Sequence, residues 1–260
     1  MSELRTTLVQ ADLRWEDIDT NCQLLDEWLQ DVTTSDLIVL PEMFATGFTM
    51  APERMAESMQ ESRAVAWMQQ KAQTHNAVIT GSVAIAEDGH YFNRLIWARP
   101  DGTMSTYDKR HLFRMGEENE HYGMGNQRAI VELNGFRILL TVCYDLRFPV
   151  WLRNVDCEYD VLVCVANWPS ARRLPWRTLL QARAIENLSY VIGVNRVGDD
   201  ARGLNYSGDS MLIDYRGDAL IDEARDRAFV RTGVIGKQSL DDFREKFPAH
   251  HDADRFTLHM

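Results

Sequence analysis

Short apolar runs alternate with longer amphipathic segments along this chain. Nearly continuous apolar runs are typical of strands that are buried in a sheet. The pattern predicts strands at residues 6–10, 37–40, 78–84, 95–98, 103–109, 137–142, 161–165, 191–195 and 209–213. The spacing of apolar residues predicts helices at residues 63–74 and 176–187. This alternation indicates the α/β class, with two packed sheets flanked by helices.

Nothing in the chain suggests a boundary between domains. It has 260 residues, which is enough to bury roughly 70 to 75% of the unfolded surface without disulfides or metal ions. No repeat, low-complexity linker or stretch rich in Pro, Gly and Ser interrupts the alternating pattern. We therefore expect one domain over residues 1–260.

Three reactive side chains stand at the ends of predicted strands. Glu42 follows the strand at 37–40, Lys109 closes the strand at 103–109, and Cys143 follows the strand at 137–142. Taken singly, a thiol after an apolar strand is usually a packed core residue, and a charge at a strand end is usually solvated. Together they supply a base for the thiol proton, a cation for an oxyanion and a nucleophile. The combination favours acyl transfer.

Five strings carry a resemblance to a known family. LPEMFATGF contains Glu42, YDKRHLF contains Lys109 and VCYDLRFP contains Cys143, and VANWP (165–169) and QARAIENLSYVIGVNRVG (181–198) follow in order. The set resembles the nitrilase, or carbon-nitrogen hydrolase, superfamily, and within it the bacterial omega-amidases. The resemblance covers most of the chain and implies a four-layer αββα sandwich.

The resemblance also implies a mechanism. Glu42 would deprotonate Cys143, whose sulfur would attack a carboxamide and leave a thioester that water hydrolyses. Lys109 and the backbone N–H of Tyr144 would bind the oxyanion. No metal or organic cofactor is implied. The implied substrates are short 2-oxo acid amides such as 2-oxoglutaramate and 2-oxosuccinamate.

A second carboxylate is expected in the loop after Lys109. The candidates are Glu117, Glu118 and Glu120. In the family the functional Glu lies seven residues before a Gly, and Glu118 stands at that distance from Gly125. We therefore choose Glu118 as the residue that holds Lys109 and orients the amide.

Other functions stay open at this point. His111 or His121 could serve as the base of a Cys-His enzyme, although the local patterns of papain-like and caspase-like enzymes are absent around Cys143. Within the superfamily, the alternative is another small linear amide or a nitrile. From a different class, the chain could be a binding protein that keeps the fold without catalysis.

The net charge of the chain indicates which classes of partner it can bind. There are 28 Lys and Arg against 39 Asp and Glu, a formal net charge of −11, and no basic stripe is present. We therefore expect a small-molecule partner and no binding to nucleic acid or anionic membranes.

An anionic amide would need local arginines, because a guanidinium matches a carboxylate bidentately. The candidate substrate-binding residues are Arg147, Trp168, Arg172 and Arg173. Arg147 could instead brace Asp145, and a further candidate, Arg183, favours an ion pair with Glu186 three residues on.

The remaining cysteines are Cys22, Cys157 and Cys164, whose spacing matches no zinc pattern. With no apolar signal peptide and no run of eighteen apolar residues, we expect a cytoplasmic protein. The family resemblance further implies a homodimer.

Overall fold

The computed structural model describes residues 2–258 and contains two six-stranded sheets and a separate two-stranded hairpin. In chain order the strands are β1 (Glu3–Gln10), β2 (Leu37–Val39), β3 (Val78–Glu87), β4 (His90–Ala98), β5 (Met104–Asp108), β6 (Ala129–Leu133), β7 (Phe136–Val142), β8 (Val161–Ala166), β9 (Tyr190–Asn195), β10 (Val197–Asp199), β11 (Asn205–Ser207), β12 (Met211–Ile213), β13 (Ala219–Asp222) and β14 (Phe229–Gly236). The first sheet has the order β14-β1-β2-β3-β4-β5, and the second has the order β13-β12-β9-β8-β7-β6. The hairpin is formed by β10 and β11.

The helices lie in the connections between strands and after the last strand. They are α1 (Ile18–Leu29), α2 (Pro52–Met55), α3 (Arg63–His75), α4 (Glu118–His121), α5 (Pro149–Leu152), α6 (Arg173–Asn187) and α7 (Lys237–Lys246). Within each sheet the central strands are parallel, β1 with β2 and β3 in the first and β7 with β8 and β9 in the second. Parallel neighbours need a crossover, and the four crossovers contain α1, α3, α5 and α6. Between residues 2 and 258 no helix is long and apolar enough to cross a bilayer.

The hydrophobic core has two layers. Leu8 and Trp97 of the first sheet meet Leu140 of the second in a core between the sheets, and all three are fully buried. A second core, which includes Met68 of α3 and Ile79 of β3, lies between the first sheet and its helices. The layer order is therefore α-β-β-α, and the predicted four-layer sandwich is confirmed.

Some predicted bounds are wrong for local reasons. The strands predicted at 78–84 and 95–98 extend to Glu87 and back to His90, because Asp88 and Gly89, with φ of +48° and +75°, join them in a tight turn. The strand predicted at 209–213 begins at Met211, since Asp209 has a φ of +58° and belongs to the preceding turn. Helix α6 begins at Arg173, three residues before the predicted start.

The sequence analysis did not predict three strands of the two large sheets. These are β6, β13 and β14, and all three are edge strands. An edge strand needs fewer apolar residues, and charged side chains there discourage pairing with other chains. In β14, for example, Arg231 and Thr232 are exposed. Their weak apolar pattern therefore reflects their position in the sheet.

Candidate active site

Three strand ends converge where the two sheets face one another. Glu42 comes after β2 and Lys109 after β5 of the first sheet, and Cys143 comes directly after β7 of the second. Glu42 and Lys109 are fully buried, while Cys143 is 8% exposed. Ends of both sheets reach this region because the sheets pack face to face.

Lys109 is the centre of a buried cluster of charges. Its Nζ donates to Glu42 Oε1 at 2.8 Å and to Glu118 Oε1 and Oε2 at 3.0 and 2.9 Å. All three side chains are fully buried. The backbone N–H of Phe113 also donates to Glu118 Oε2, at 2.6 Å. The structure thus brings the predicted Glu42, Lys109 and Glu118 together, whereas Glu117 and Glu120 are exposed.

Two asparagines that the sequence analysis missed complete this cluster. Asn93 Nδ2 donates to Glu42 Oε1 at 2.8 Å and to Glu118 Oε1 at 3.1 Å. The backbone N–H of Asn167 donates to Glu42 Oε2 at 2.7 Å, and its Nδ2 donates to the backbone oxygen of Glu42 at 2.5 Å. Asn167 follows β8 in the same way that Cys143 follows β7, so its place at a strand end was a usable signal. Asn93 lay outside the predicted strand and gave none.

Cys143 stands at a strained turn between β7 and a 3-10 helix over Cys143–Arg147. Its φ of +45° is in the left-handed region, which a residue with a side chain adopts at a cost of roughly 1–3 kcal/mol. The sulfur lies 4.0 Å from the backbone oxygen of Asn167. The first N–H groups of a helix have no partner within the helix, so the Tyr144 N–H begins this turn without one.

A buried carboxylate, Asp145, fixes the turn. It accepts hydrogen bonds from the backbone N–H of Val142 at 3.0 Å and from the Tyr107 hydroxyl at 2.7 Å. It also accepts from the backbone N–H of His111 at 2.9 Å, and His111 Nδ1 lies 2.8 Å away. Because Tyr107 and His111 flank Lys109 in the chain, Asp145 ties the nucleophile turn to the strand end that carries the lysine. His111 is directed at Asp145 and stacks on Phe148 with 3.7 Å between ring centroids.

The surroundings set the protonation of the thiol and the ammonium. Burial raises the pKa of Cys143 well above its ordinary value, the charge of Glu42 raises it further, and Lys109 offsets this only in part. Burial alone would lower the pKa of Lys109, but Glu118 and Glu42 raise it well above its ordinary value. The resting site therefore holds a neutral thiol beside a charged lysine, and the sulfur needs a base to become a nucleophile.

The pKa of Glu118 is raised, whereas an ion pair on the surface lowers the pKa of its carboxyl group. Burial raises its pKa, Lys109 lowers it, and Glu42 raises it again, so that the net shift is upward. Burial and the charge of Glu42 thus oppose the ionised form of Glu118, and the ammonium of Lys109 favours it.

A cleft of about 250 Å³ opens above Cys143. Its lining combines aromatic and apolar side chains with three arginines: Phe48, Phe113, Met115, Gly116, Cys143, Tyr144, Arg147, Asn167, Trp168, Pro169, Arg172, Asp200, Arg202, Leu204 and Tyr206. Of the predicted substrate-binding residues, Arg147, Trp168 and Arg172 are among them. The sequence analysis did not select Phe48, Phe113 or the segment from Asp200 to Tyr206.

Arg147 and Arg172 lie on aromatic rings at the cleft. The Arg147 guanidinium is 4.9 Å from the centroid of Trp168, and that of Arg172 is 5.1 Å from Phe113. Trp168 is held in turn by its Nε1, which donates to the backbone oxygen of Arg172 at 2.8 Å. Arg147 does not brace Asp145, whose partners are those described above.

Two other arginines are engaged elsewhere. Arg173, which the sequence analysis placed in the substrate site, is not part of the cleft lining, because its Nε donates to both oxygens of Asp209 at 2.9 Å. Arg183 pairs with Glu186 at 2.7 Å as the helical spacing predicted, and it also donates to the backbone oxygen of Leu146. Among residues 2–258, no group of three or more His, Cys, Asp or Glu side chains is arranged to hold a metal ion.

Comparison with known proteins gives three concordant findings. Residues 5–235 match the family model described as carbon-nitrogen hydrolase. The chain is 48% identical over 258 residues to the omega-amidase YafV of Escherichia coli strain K12, which covers 99% of this chain and 100% of that protein. It is 32% identical over 222 residues to the 2-oxoglutaramate amidase of Bacillus subtilis strain 168, which covers 84% of this chain and 85% of that protein.

A solved structure agrees with these sequence matches. The chain superimposes with a TM-score of 0.97 on a CN-hydrolase superfamily protein from Xanthomonas campestris, at 45% identity and over 100% of both chains. That crystal structure carries an arsenic adduct in its active site.

The charge cluster predicts a pH-dependent loss of stability when its cation is removed. We expect Lys109→Met to lower the free energy of unfolding by about 3–5 kcal/mol near pH 8, because two buried carboxylates lose their partner. Burial then holds the folded pKa of Glu118 above its unfolded value, so stability is present at low pH and lost as the pH rises through the folded pKa. Urea denaturation at pH 5 and pH 8 measures this difference.

A matched control separates this effect from the loss of any lysine. Lys71 pairs with Asp26 at 2.7 Å, and because Asp26 is 39% exposed it stays solvated without its partner, so Lys71→Met should cost about 1 kcal/mol or less. The double variant Lys109→Met, Glu118→Gln should recover part of the stability. A loss that is equal at both pH values and unchanged by Glu118→Gln would contradict the account.

Proposed function

The chain belongs to the carbon-nitrogen hydrolase family and is an amide-hydrolysing enzyme, and we propose that its substrates are short 2-oxo acid amides. The proposed reaction converts the terminal amide of 2-oxoglutaramate or 2-oxosuccinamate into a carboxylate and releases ammonia. The observation that carries this proposal is a buried thiol beside a Glu-Lys-Glu cluster, in a cleft that presents unpaired guanidinium groups. The names of the relatives from Escherichia coli and Bacillus subtilis point to the same chemistry.

In the proposed first step, Glu42 takes the proton of Cys143 while the sulfur attacks the amide carbon. The raised pKa of Cys143 means that this proton transfer accompanies attack. The protonated Glu42 then gives its proton to the leaving nitrogen, and the C–N bond breaks. Ammonia departs and a thioester joins the acyl group to Cys143.

In the proposed second step, Glu42 activates a water molecule. The water oxygen attacks the thioester, the C–S bond breaks, and the proton taken by Glu42 returns to the sulfur. The contacts around Glu42 suit this repeated use: Lys109, Asn93 and the Asn167 N–H hold its carboxylate in place. One carboxylate therefore acts first as base and then as acid in each of the two steps.

The negatively charged oxygen of each tetrahedral intermediate needs hydrogen-bond donors close to it. We assign this role to Lys109 Nζ and the backbone N–H of Tyr144, the first N–H after the nucleophile. Single donors of this kind typically contribute about a hundredfold to a thousandfold in rate. Glu118 holds the lysine by two hydrogen bonds and keeps its ammonium fixed between the two carboxylates.

The substrate carboxylate is proposed to lie against the arginines of the cleft. Arg147 and Arg172 have no carboxylate within 4.0 Å among the described residues, so both are available to an anionic ligand. Their aromatic supports leave the donor edges of the guanidinium groups free for in-plane hydrogen bonds.

The chain is also proposed to act as a single catalytic domain that forms a cytoplasmic homodimer. Val150 on α5 and Ile185 on α6 expose 55% and 51% of their surface, which suits burial against a second copy. Four free cysteines suit a reducing compartment. Sedimentation velocity should give a mass near twice that of the chain, and a monomer at micromolar concentration would contradict the dimer.

Ammonia release from a small panel of amides tests the proposed function. We expect selective turnover of 2-oxoglutaramate and 2-oxosuccinamate over glutamine, asparagine, a neutral aliphatic amide and an aliphatic nitrile, with Cys143→Ala as the blank. Turnover of the neutral amide or the nitrile alone would favour the alternative substrate class. No turnover by the folded protein of any compound would favour a binding role.

A second experiment separates the carboxylate base from an imidazole base. His111→Ala should keep most of the wild-type kcat, because His111 is directed at Asp145 rather than at the sulfur. Cys143→Ala should abolish turnover with its circular dichroism unchanged. If His111→Ala were as inactive as Cys143→Ala while remaining folded, Glu42 would not be the base.

A further inference from the structure

A hairpin that lies almost entirely beyond the last family string forms part of the cleft wall. It consists of β10, β11 and the turn 200–204, and Asp200, Arg202, Leu204 and Tyr206 line the cleft together with Cys143. The hairpin lies between β9 and β12 in the chain, outside the two large sheets. Its turn is therefore a part of the wall that the sheets do not determine.

The turn is held rigidly by one carboxylate. Asp200 Oδ1 accepts the backbone N–H groups of Arg202 and Leu204, both at 2.9 Å, and Oδ2 accepts the Tyr206 hydroxyl at 2.9 Å. Gly203, with a φ of +77°, allows the chain to reverse. Arg202 is thus presented from a fixed backbone, which lowers the entropy cost of holding a ligand.

The fully buried side chain of Arg196 holds strand β10 of the hairpin in place. Its guanidinium donates to the backbone oxygens of Val197, Leu13 and Asp199 at 3.0 to 3.1 Å and lies 4.8 Å from the ring centroid of Tyr206. These contacts fix the hairpin to the body of the protein, so the position of Arg202 relative to the cleft is also fixed.

Arg202 itself has no acidic partner. Among residues 2–258 its guanidinium makes no ion pair within 4.0 Å, and it lies 6.0 Å from the ring centroid of Trp15. Asp200 is the one acidic residue among the described residues of the cleft lining, and both of its oxygens are already used inside the hairpin. Three guanidinium groups, those of Arg147, Arg172 and Arg202, thus face a cleft without a free carboxylate, in a chain whose net charge is −11.

We propose that Arg202 is a specificity-determining residue that binds the carboxylate of the substrate at the end of the acyl chain away from the amide. This inference rests on the proposed function, and it adds a consequence. A 2-amino acid amide carries an ammonium group beside that carboxylate, and the ammonium would meet three cations and no free acceptor. The hairpin therefore favours 2-oxo acid amides over amino acid amides by charge.

Steady-state kinetics of Arg202→Gln tests the assignment. A hydrogen bond between charged groups is typically worth enough that kcat/KM for 2-oxoglutaramate should fall roughly tenfold or more, chiefly through KM. The loss for a neutral amide of similar length, pentanamide, should be much smaller. The ratio of kcat/KM for 2-oxoglutaramate to that for glutamine should decrease, and Arg202→Lys should retain part of the wild-type value.

Arg216 offers a matched control. It is exposed and lies 5.5 Å from the ring centroid of Tyr215, but it is not in the cleft lining. Arg216→Gln should leave both substrates unaffected. Equal losses of the anionic and neutral substrates in Arg202→Gln, or no loss of either, would overturn the assignment.

A competition experiment keeps this result separate from the proposed function. If the wild type hydrolyses pentanamide but not 2-oxoglutaramate, the proposed substrate class fails. Inhibition of pentanamide hydrolysis by glutarate then decides the role of Arg202. A glutarate inhibition constant that rises roughly tenfold in Arg202→Gln would support the carboxylate site, and an unchanged constant would refute it.

Discussion

The ammonium of Lys109, buried between the carboxylates of Glu42 and Glu118, is the interaction on which the rest of the site depends. Removing such charges from water costs several kcal/mol per ion, which is offset only when the charged groups are well hydrogen-bonded. The site meets this condition with Asn93, the Phe113 N–H and the Asn167 N–H. The loop before Glu118 and the end of β8 are thereby fixed in position.

The nucleophile is organised in a different way. Cys143 lies in a strained backbone turn, which the four hydrogen bonds that Asp145 accepts hold in place. The pKa of its thiol is raised rather than lowered. A thiol that stays protonated until a substrate arrives is less open to oxidation than a thiolate, since oxidation follows thiolate character. In the proposed mechanism, activation and position are thus controlled by separate groups: Glu42 with Lys109 activates the thiol, and Asp145 fixes its position.

The sequence was sufficient to predict the site residues that stand at the ends of strands. Glu42, Lys109 and Cys143 followed from apolar runs, and the αββα layers followed from the family resemblance. It failed where the deciding partner is distant in the chain. Arg173 was expected at the substrate, but Asp209, 36 residues further on, holds it elsewhere. Arg202 could not be found, because an exposed turn carries no hydrophobic pattern and its relation to the cleft arises only from the anchoring of the hairpin by Arg196.

The division of the site between two sheets has a consequence for how the chain matures. Residues of the first sheet supply the carboxylates and the lysine, whereas β7 and β8 supply the sulfur and Asn167. Asn167 joins the sulfur's side directly to Glu42, through 2.7 and 2.5 Å hydrogen bonds across 125 residues of chain, in addition to the contacts of Asp145 with Tyr107 and His111. During synthesis the first sheet can pair its inner strands long before Asn167 has been made. The newly made thiol therefore remains an ordinary cysteine until the sheets dock, and reactivity arises only with completion of the fold.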